Sequence, residues 1–325
     1  MKSFTYAAPA TLDEATSLLA NTWGQTEIMA GGTDLVTCLK QEITAPERVV
    51  SLRNISALKG IKVEGGALRI GAMSTLSDLI ANASVKEQFP SLVTAVKGIG
   101  SQQIMFVGTV GGDLCQRPRC WYFRNGFGLL GKQGDSSLVL DGDNRYHAIF
   151  GNQGPAYFVS ASSLGPVLIA LGGTVKVTGP KGKTREIAAA DFFRAPKNEN
   201  ERETSLKPTE ILTEIRLPMK KLKNATYEVR HRYGLDWPYV TATVSFQDKA
   251  GKASEPRVVL GHVAPVPWSS VGAAKVLEGA KIDAALAAKC GEAAVQGAKP
   301  LSGNAYKIQL VKTAVKRAVL AAVAT

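Results

Sequence analysis

No run of about eighteen apolar residues occurs in this 325-residue chain, so nothing in it reads as a membrane span. Cysteine is scarce. The four present, Cys38, Cys115, Cys120 and Cys290, form neither a disulfide framework nor a paired CxxC metal site. Acidic residues are outnumbered, 27 against 39 basic ones, for a formal net charge of +12. Aromatic residues are absent from the densest basic clusters, Lys220-Lys221-Lys223 and Lys312-Lys316-Arg317. The basic balance therefore does not read as a nucleic-acid module and fits a surface that docks an acidic partner protein. The opening MKSFTYAAPATLDEA lacks the apolar stretch of a secretory signal, so reduced thiols in the cytoplasm are expected.

What is present reads as a soluble globular chain, 45% apolar and 20% charged, long enough for two or three compact units. Apolar spacing predicts a helix over 12–20, short strands at Glu27–Met29 and Arg48–Leu52, and an apolar run at Leu35–Leu39. This is a small α/β unit over about the first 55 residues. A strand at Ala67–Ile70 and helices at Thr75–Ile80 and Leu92–Ile99 follow, then a loop at 108–113. Residues 115–155 are rich in Gly, Arg, Asn and Asp without a period and read as a long irregular excursion. Regular structure is expected again at Tyr157–Ser160, Leu164–Leu171 and Thr174–Thr178. Beyond the polar stretch 196–208, strands at 211–217, 240–246 and 257–263 precede alanine-rich helices at 271–297 and 303–322. The expected division is therefore 1–180, with an inner boundary near 55, and 185–325.

Two glycine pairs carry the chemistry. Ala30-Gly31-Gly32-Thr33-Asp34-Leu35 follows a predicted strand, and Thr109-Val110-Gly111-Gly112-Asp113 follows a predicted helix. Paired glycines let backbone approach a ligand closely, and successive N–H groups in such a turn form an anion-binding concavity. Two such loops, each with a threonine, suit a ligand with two phosphates. Neither is GxGxxG or GxxxxGK[ST], which argues against the usual nicotinamide and nucleoside-triphosphate folds.

In order along the chain, Phe4-Thr5-Tyr6 with Pro9, AGGTDL at 30–35, TVGGD at 109–113, SSLGPVLIALGG at 162–173, EILTEIRLP at 210–218 and YEVRHRYGLDWP at 227–238 resemble the FAD-binding medium subunit of the xanthine dehydrogenase family of molybdenum hydroxylases. LCQRPRCWYFRNG points to the aldehyde oxidoreductase branch. The resemblance implies an α+β fold: a two-part FAD-binding unit of the vanillyl-alcohol-oxidase type, then a C-terminal antiparallel sheet with helices. It implies FAD held by Ala30–Leu35 and Thr109–Asp113, with Leu212 and Ser163 as further contacts. It also implies a large molybdopterin-binding partner, a small [2Fe–2S] partner and export with a partner as an alternative to the cytoplasm. This chain departs from the family pattern at Ser163, at Glu228 and at Met105-Phe106.

Some relatives hold a [4Fe–4S] cluster in such an excursion, which needs four thiolates. Only Cys115 and Cys120 lie in it, so no such cluster is expected, and its arginines and aromatics are expected to pack against a partner. His147, His231 and His262 show no metal-ligand spacing, and no catalytic acid or base is expected. A stand-alone flavin oxidoreductase of the same fold and a basic scaffold without FAD are the competing readings.

Overall fold

The structure is a computed structural model and describes residues 1–232 and 236–325; Tyr233, Gly234 and Leu235, part of the YEVRHRYGLDWP segment, lie outside the described residues. The chain begins with three parallel strands, β1 (Thr5–Ala7), β2 (Thr26–Met29) and β3 (Arg48–Ser51), in the order β1-β3-β2. Helices Leu12–Ser17 and Leu35–Lys40 make the crossovers. A reciprocal cap between Thr11 and Glu14 starts the first, which ends at Ser17, three residues before the apolar pattern does. Ala15 and Val50 are fully buried and meet Met73 and Ile211 from the next layer, which seats this unit on the central sheet.

That sheet is antiparallel, built from β4 (Ile61–Glu64), β5 (Ala67–Gly71), β8 (Thr174–Thr178), β9 (Thr184–Ala188) and β10 (Ile211–Pro218) in the order β4-β5-β10-β8-β9. The strand at 211–217, expected to open the second unit, is instead the middle strand of the first. Ile211, Leu212, Ile215 and Leu217 are buried, and the strand pairs with β5 on one side and β8 on the other. Paired on both edges and buried over most of its length, it sits in the sheet centre, and the polar stretch before it is a return path into that sheet. Segment Tyr157–Ser160, expected as regular structure, joins no helix or sheet; its Ser160 N–H donates to the Ala264 carbonyl.

The C-terminal unit is an antiparallel sheet of β11 (Lys223–Val229), β12 (Val240–Lys249), β13 (Lys252–Gly261) and β14 (Trp268–Ser269) in sequence order. Helices Val271–Leu277, Ala284–Ala294 and Tyr306–Ala324 pack against it, so the alanine-rich run expected at 271–297 is two helices. Small Ala287, Ala294, Ala314, Ala318 and Ala322 are all buried, which lets these helices approach closely.

Excursion 115–155 holds short helical turns at Trp121–Arg124 and Leu138–Asp141 and a two-residue hairpin of β6 (Lys132–Gln133) with β7 (Ser136–Ser137). Of its arginines and aromatics, expected to pack against a partner, Arg117, Arg124 and Phe123 fold back onto this chain, whereas Phe127 and Tyr146 are exposed. Phe123, Leu129 and Leu130 form a small core with Ala156 and Phe158. Asn304 Nδ2 donates to the carbonyls of Asn144 and His147, and Lys307 Nζ donates to those of Tyr146 and His262 at 2.8 and 2.9 Å.

Lys307 is 1% exposed, and burial pushes its pKa down to about 7 from the ordinary 10.5. Between those values the unfolded chain carries a proton that the folded chain does not, so stability rises with pH across that window. The slope approaches about 1.4 kcal/mol per pH unit for this one group. Lys307→Met is expected to abolish that rise, read as thermal midpoints at pH 7, 8 and 9. A rise of equal size in the variant would refute the assignment.

Candidate functional site

Both glycine loops reach one cleft of about 190 Å³, between the N-terminal unit and the central sheet. Ala30, Gly31, Gly32, Thr33, Asp34 and Leu35 line one side, Thr109, Gly111 and Gly112 the other, and Leu212 of β10 the floor. A second cleft of about 210 Å³ shares Thr33, Asp34, Thr109 and Gly112 and adds Asp113 and Ser163. The loops thus stand at the junction of two chambers. Val110 does not face either; at 1% exposure its side chain belongs to the core.

The two loops differ in what they offer an anion. The N–H groups of Gly31 through Leu35 donate to no acceptor among the described residues. Gly32 has φ +76, which bends this run. Successive free N–H groups in a curved backbone are an anion cradle. The second loop, expected to behave alike, does not. It is the first turn of helix Val110–Cys115, with Thr109 as its cap. Val110 donates to Ser74, Gly111 to Ala72, Gly112 to the Thr109 hydroxyl and Asp113 to the Thr109 carbonyl. The four backbone donors from Val110 to Asp113 are already used.

Why glycine is needed also differs from expectation. A Cβ on Gly31 would lie 2.8 Å from the Val107 carbonyl carbon and nearer still to its oxygen. One on Gly111 would lie 2.9 Å from the Ala72 side chain and 3.0 Å from its carbonyl oxygen. The absent side chains first let the loops reach each other and the sheet; the cradle follows from that crossing.

The two aspartates hold the loops in place. Asp34 accepts from Arg124 Nη2 and the Arg117 N–H, both at 2.8 Å, and lies 3.1 Å from Arg119 Nη2. It ties the first loop to the excursion. Asp113 accepts from the Ser162 hydroxyl at 2.6 Å and the Leu164 N–H at 3.0 Å, which anchors the second loop to helix Leu164–Ala170. Burial is the main reason its pKa is pushed up to about 6, opposed by those hydrogen bonds. Ser163 is buried beside it and makes no side-chain cap.

Other wall residues carried too little signal in the sequence. Arg117 binds Glu203 at 2.8 Å and lies over the Phe123 ring, and Arg202 pairs with Glu27 at 3.3 Å over Trp23. Arg202, Glu203, Leu206 and Pro208 come from the polar stretch 196–208, where only the charge alternation of ENERETS hinted at a built surface. Glu228 lies beneath Gly98 and is ion-paired with Arg230, which donates to the Gly98 carbonyl at 2.8 Å. Burial nevertheless pushes its pKa up to about 7. Phe106 is 67% exposed.

The cysteines are dispersed. Cys38 and Cys115 line the first cleft, Cys120 faces a separate cavity, and Cys290 is buried under the C-terminal helices. Among the described residues no three His, Cys, Asp or Glu side chains are grouped to hold a metal. None of the described helices is long and apolar enough to cross a membrane.

Residues 2–220 match the family described as the FAD binding domain in molybdopterin dehydrogenase, and residues 225–322 the CO dehydrogenase flavoprotein C-terminal domain. Among curated relatives, the chain is 31% identical to the aldehyde oxidoreductase FAD-binding subunit of Escherichia coli K12, over 96% of each chain. It is 28% identical to the carbon monoxide dehydrogenase medium chain of Hydrogenophaga pseudoflava, over 98% of this chain and 96% of that one. A solved structure of that organism's carbon monoxide dehydrogenase superposes with a TM-score of 0.78 at 26% identity, covering 99% of this chain and 98% of the other. Quinoline 2-oxidoreductase from Pseudomonas putida 86 gives the same TM-score and coverage at 25% identity.

Proposed function

We propose, from the premise that this chain belongs to the FAD-binding subunits of the molybdenum hydroxylase family, that it is the electron-transfer subunit of a heteromeric hydroxylase or dehydrogenase. Membership makes it an FAD-binding oxidoreductase subunit. In the fuller reading a large molybdopterin-binding partner oxidises the substrate. A small partner with [2Fe–2S] clusters relays the electrons to this chain, and an external acceptor removes them. The complex belongs in the cytoplasm, or in the periplasm where a partner supplies the export signal.

The observation that carries this reading is the run of free N–H groups from Gly31 to Leu35 at the junction of two chambers. A dinucleotide has a diphosphate at its middle and a ring system at each end, so it calls for an anion cradle between two clefts. Bound FAD supplies a redox centre that exchanges electrons singly or in pairs. The chain's own groups do the rest. The N–H groups of the first loop and the Thr33 hydroxyl would hold the diphosphate, and Thr109 and Gly112 would close the cradle opposite. Arg119 and Arg124 neutralise Asp34, which would otherwise repel the diphosphate. Leu52, Met73, Ile211 and Leu212 form an apolar wall that excludes water from one end. Asp113 and Val110 act from behind by fixing the helix, and Ser163 stands on the wall of the second chamber.

Purification of the native complex, with mass analysis of its chains and an absorbance spectrum, tests the proposal. FAD in this chain, together with a molybdopterin chain and an iron–sulfur chain, is the expected result. A single chain whose flavin is reduced by a small substrate would instead make it a stand-alone oxidoreductase, and a colourless chain would refute both.

A further inference from the structure

Glu27 and Arg202 stand together in the wall of the first cleft, and neither spends all of its hydrogen-bonding capacity. Glu27 lies on β2, an outer strand of the N-terminal sheet, which runs directly into the cradle. At about 3.3 Å per residue, Glu27 is about 10 Å before Ala30, the length of one nucleoside. Its Oε1 accepts from Arg202 Nη2 at 3.3 Å and from the Thr44 hydroxyl at 3.4 Å. Its Oε2 accepts from none of the described residues and is not sealed from solvent. Both side chains keep accessible surface, 19% for Glu27 and 17% for Arg202, so the leftover acceptor and donors can meet a ligand.

The pair is held as one unit. The Arg202 guanidinium lies over the Trp23 ring, 5.1 Å from its centroid, and among the described residues only its Nη2 has an acceptor. A guanidinium only donates and an ionised carboxylate only accepts. Side by side they match a flat ring edge that carries a donor next to an acceptor. Ile28, Ile43 and Leu206 supply apolar walls for such a ring.

An aminopurine has that edge: an exocyclic amino group beside a ring nitrogen that accepts. The imide edge of a flavin has a carbonyl on each side of its N–H, so it calls for a second guanidinium. The next one along this wall, Arg117, is already bound to Glu203 at 2.8 Å.

We propose that Glu27 selects the adenine end of the dinucleotide: its carboxylate accepts from the exocyclic amino group, and Arg202 donates to the adjacent ring nitrogen. This rests on the FAD reading above and adds a specificity determinant to it. Against hypoxanthine, whose oxo group replaces the amino group, the carboxylate meets an acceptor. A site built to bond a donor rejects the analogue that lacks it.

Fluorescence titration of the flavin-stripped full chain with FAD and with its deaminated analogue, flavin hypoxanthine dinucleotide, tests this. The two ligands differ only at the base edge that Glu27 and Arg202 face. FAD is expected to bind at least about tenfold more tightly, a difference of about 1.4 kcal/mol. Glu27→Gln, whose amide both donates and accepts, is expected to bring the two within about threefold of each other. Glu27→Asp keeps the charge but withdraws it by a methylene, and it is expected to lower the preference at least about threefold. A thermal midpoint near that of the wild type shows that each variant is folded; should Glu27→Gln fail that check, Glu27→Asp decides. Equal binding of the two dinucleotides by the wild-type chain overturns the proposal and leaves the FAD reading standing. So does a preference that is unchanged in the folded variants. Failure of both ligands to bind removes the FAD reading and the proposal with it.

Discussion

Gly31→Ala is expected to yield protein that retains less than about a hundredth of the wild-type affinity for FAD, from a change of one methyl group. The added Cβ would fall 2.8 Å from the Val107 carbonyl carbon and closer to the oxygen. Both are backbone atoms at the end of helix Gln102–Val107, so no side chain can swing aside. The next residues fix that helix end further: the Gly108 carbonyl accepts from the Leu76 N–H, and Val110 donates to Ser74. Relief therefore requires the two loops to part. Overpacking of this kind costs about 1–3 kcal/mol, and here it falls on the cradle itself. Gly154→Ala is the control, because a Cβ there meets nothing within 4 Å and the backbone is not left-handed. The flavin-to-protein ratio after gel filtration and the urea midpoint read the two effects. Full flavin retention by Gly31→Ala would show that the loops do not need their close approach.

The signals that could be read without coordinates were local ones. The strand at 174–178 and the helices beginning near 76 and 164 follow from short-range periodicity, and Thr75 and Thr109 cap the helices that follow them. Partnership was not local. Nothing within ILTEIRLP states that its neighbours are β5 and β8, both far earlier in the chain, so its assignment to the later unit failed. The glycine pairs are visible in the sequence, and the family resemblance implies their juxtaposition. Their inequality is not visible there, because the use of the Val110 and Gly111 donors depends on Ser74 and Ala72 of a preceding turn. Arg202 and Glu203 escaped for the same reason. Their partners, Glu27 and Arg117, are 175 and 86 residues away.

Asp34 shows what that long-range layer contributes, and Asp34→Ala is expected to produce the largest loss of stability by a single surface-loop substitution in this chain. Its carboxylate is shared by Arg124 and Arg119, whose side chains are only 12% and 28% exposed, and it accepts the Arg117 N–H. Removing the anion leaves two largely buried guanidinium groups facing each other. Breaking a buried ion pair costs about 3–5 kcal/mol, and the greater exposure of Arg119 places the expectation near the lower end. Asp34→Asn keeps one acceptor and is expected to lose less. The damage should be directional as well. The excursion begins at this contact, so residues 116–125 should open locally before the rest of the chain unfolds. Trypsin reads this directly, since Arg119 and Arg124 lie within that stretch. Cleavage after them is expected to accelerate at least about tenfold in Asp34→Ala, the counterpart of about 1.4 kcal/mol in the opening equilibrium. Saturating FAD should partly reverse the effect, because a ligand that binds only the folded loop stabilises it by mass action. Loss of stability without faster cleavage would place the role of Asp34 in the first loop alone; no loss at all would mean that Arg119 and Arg124 find other anions, and the link between the phosphate cradle and the excursion would fall.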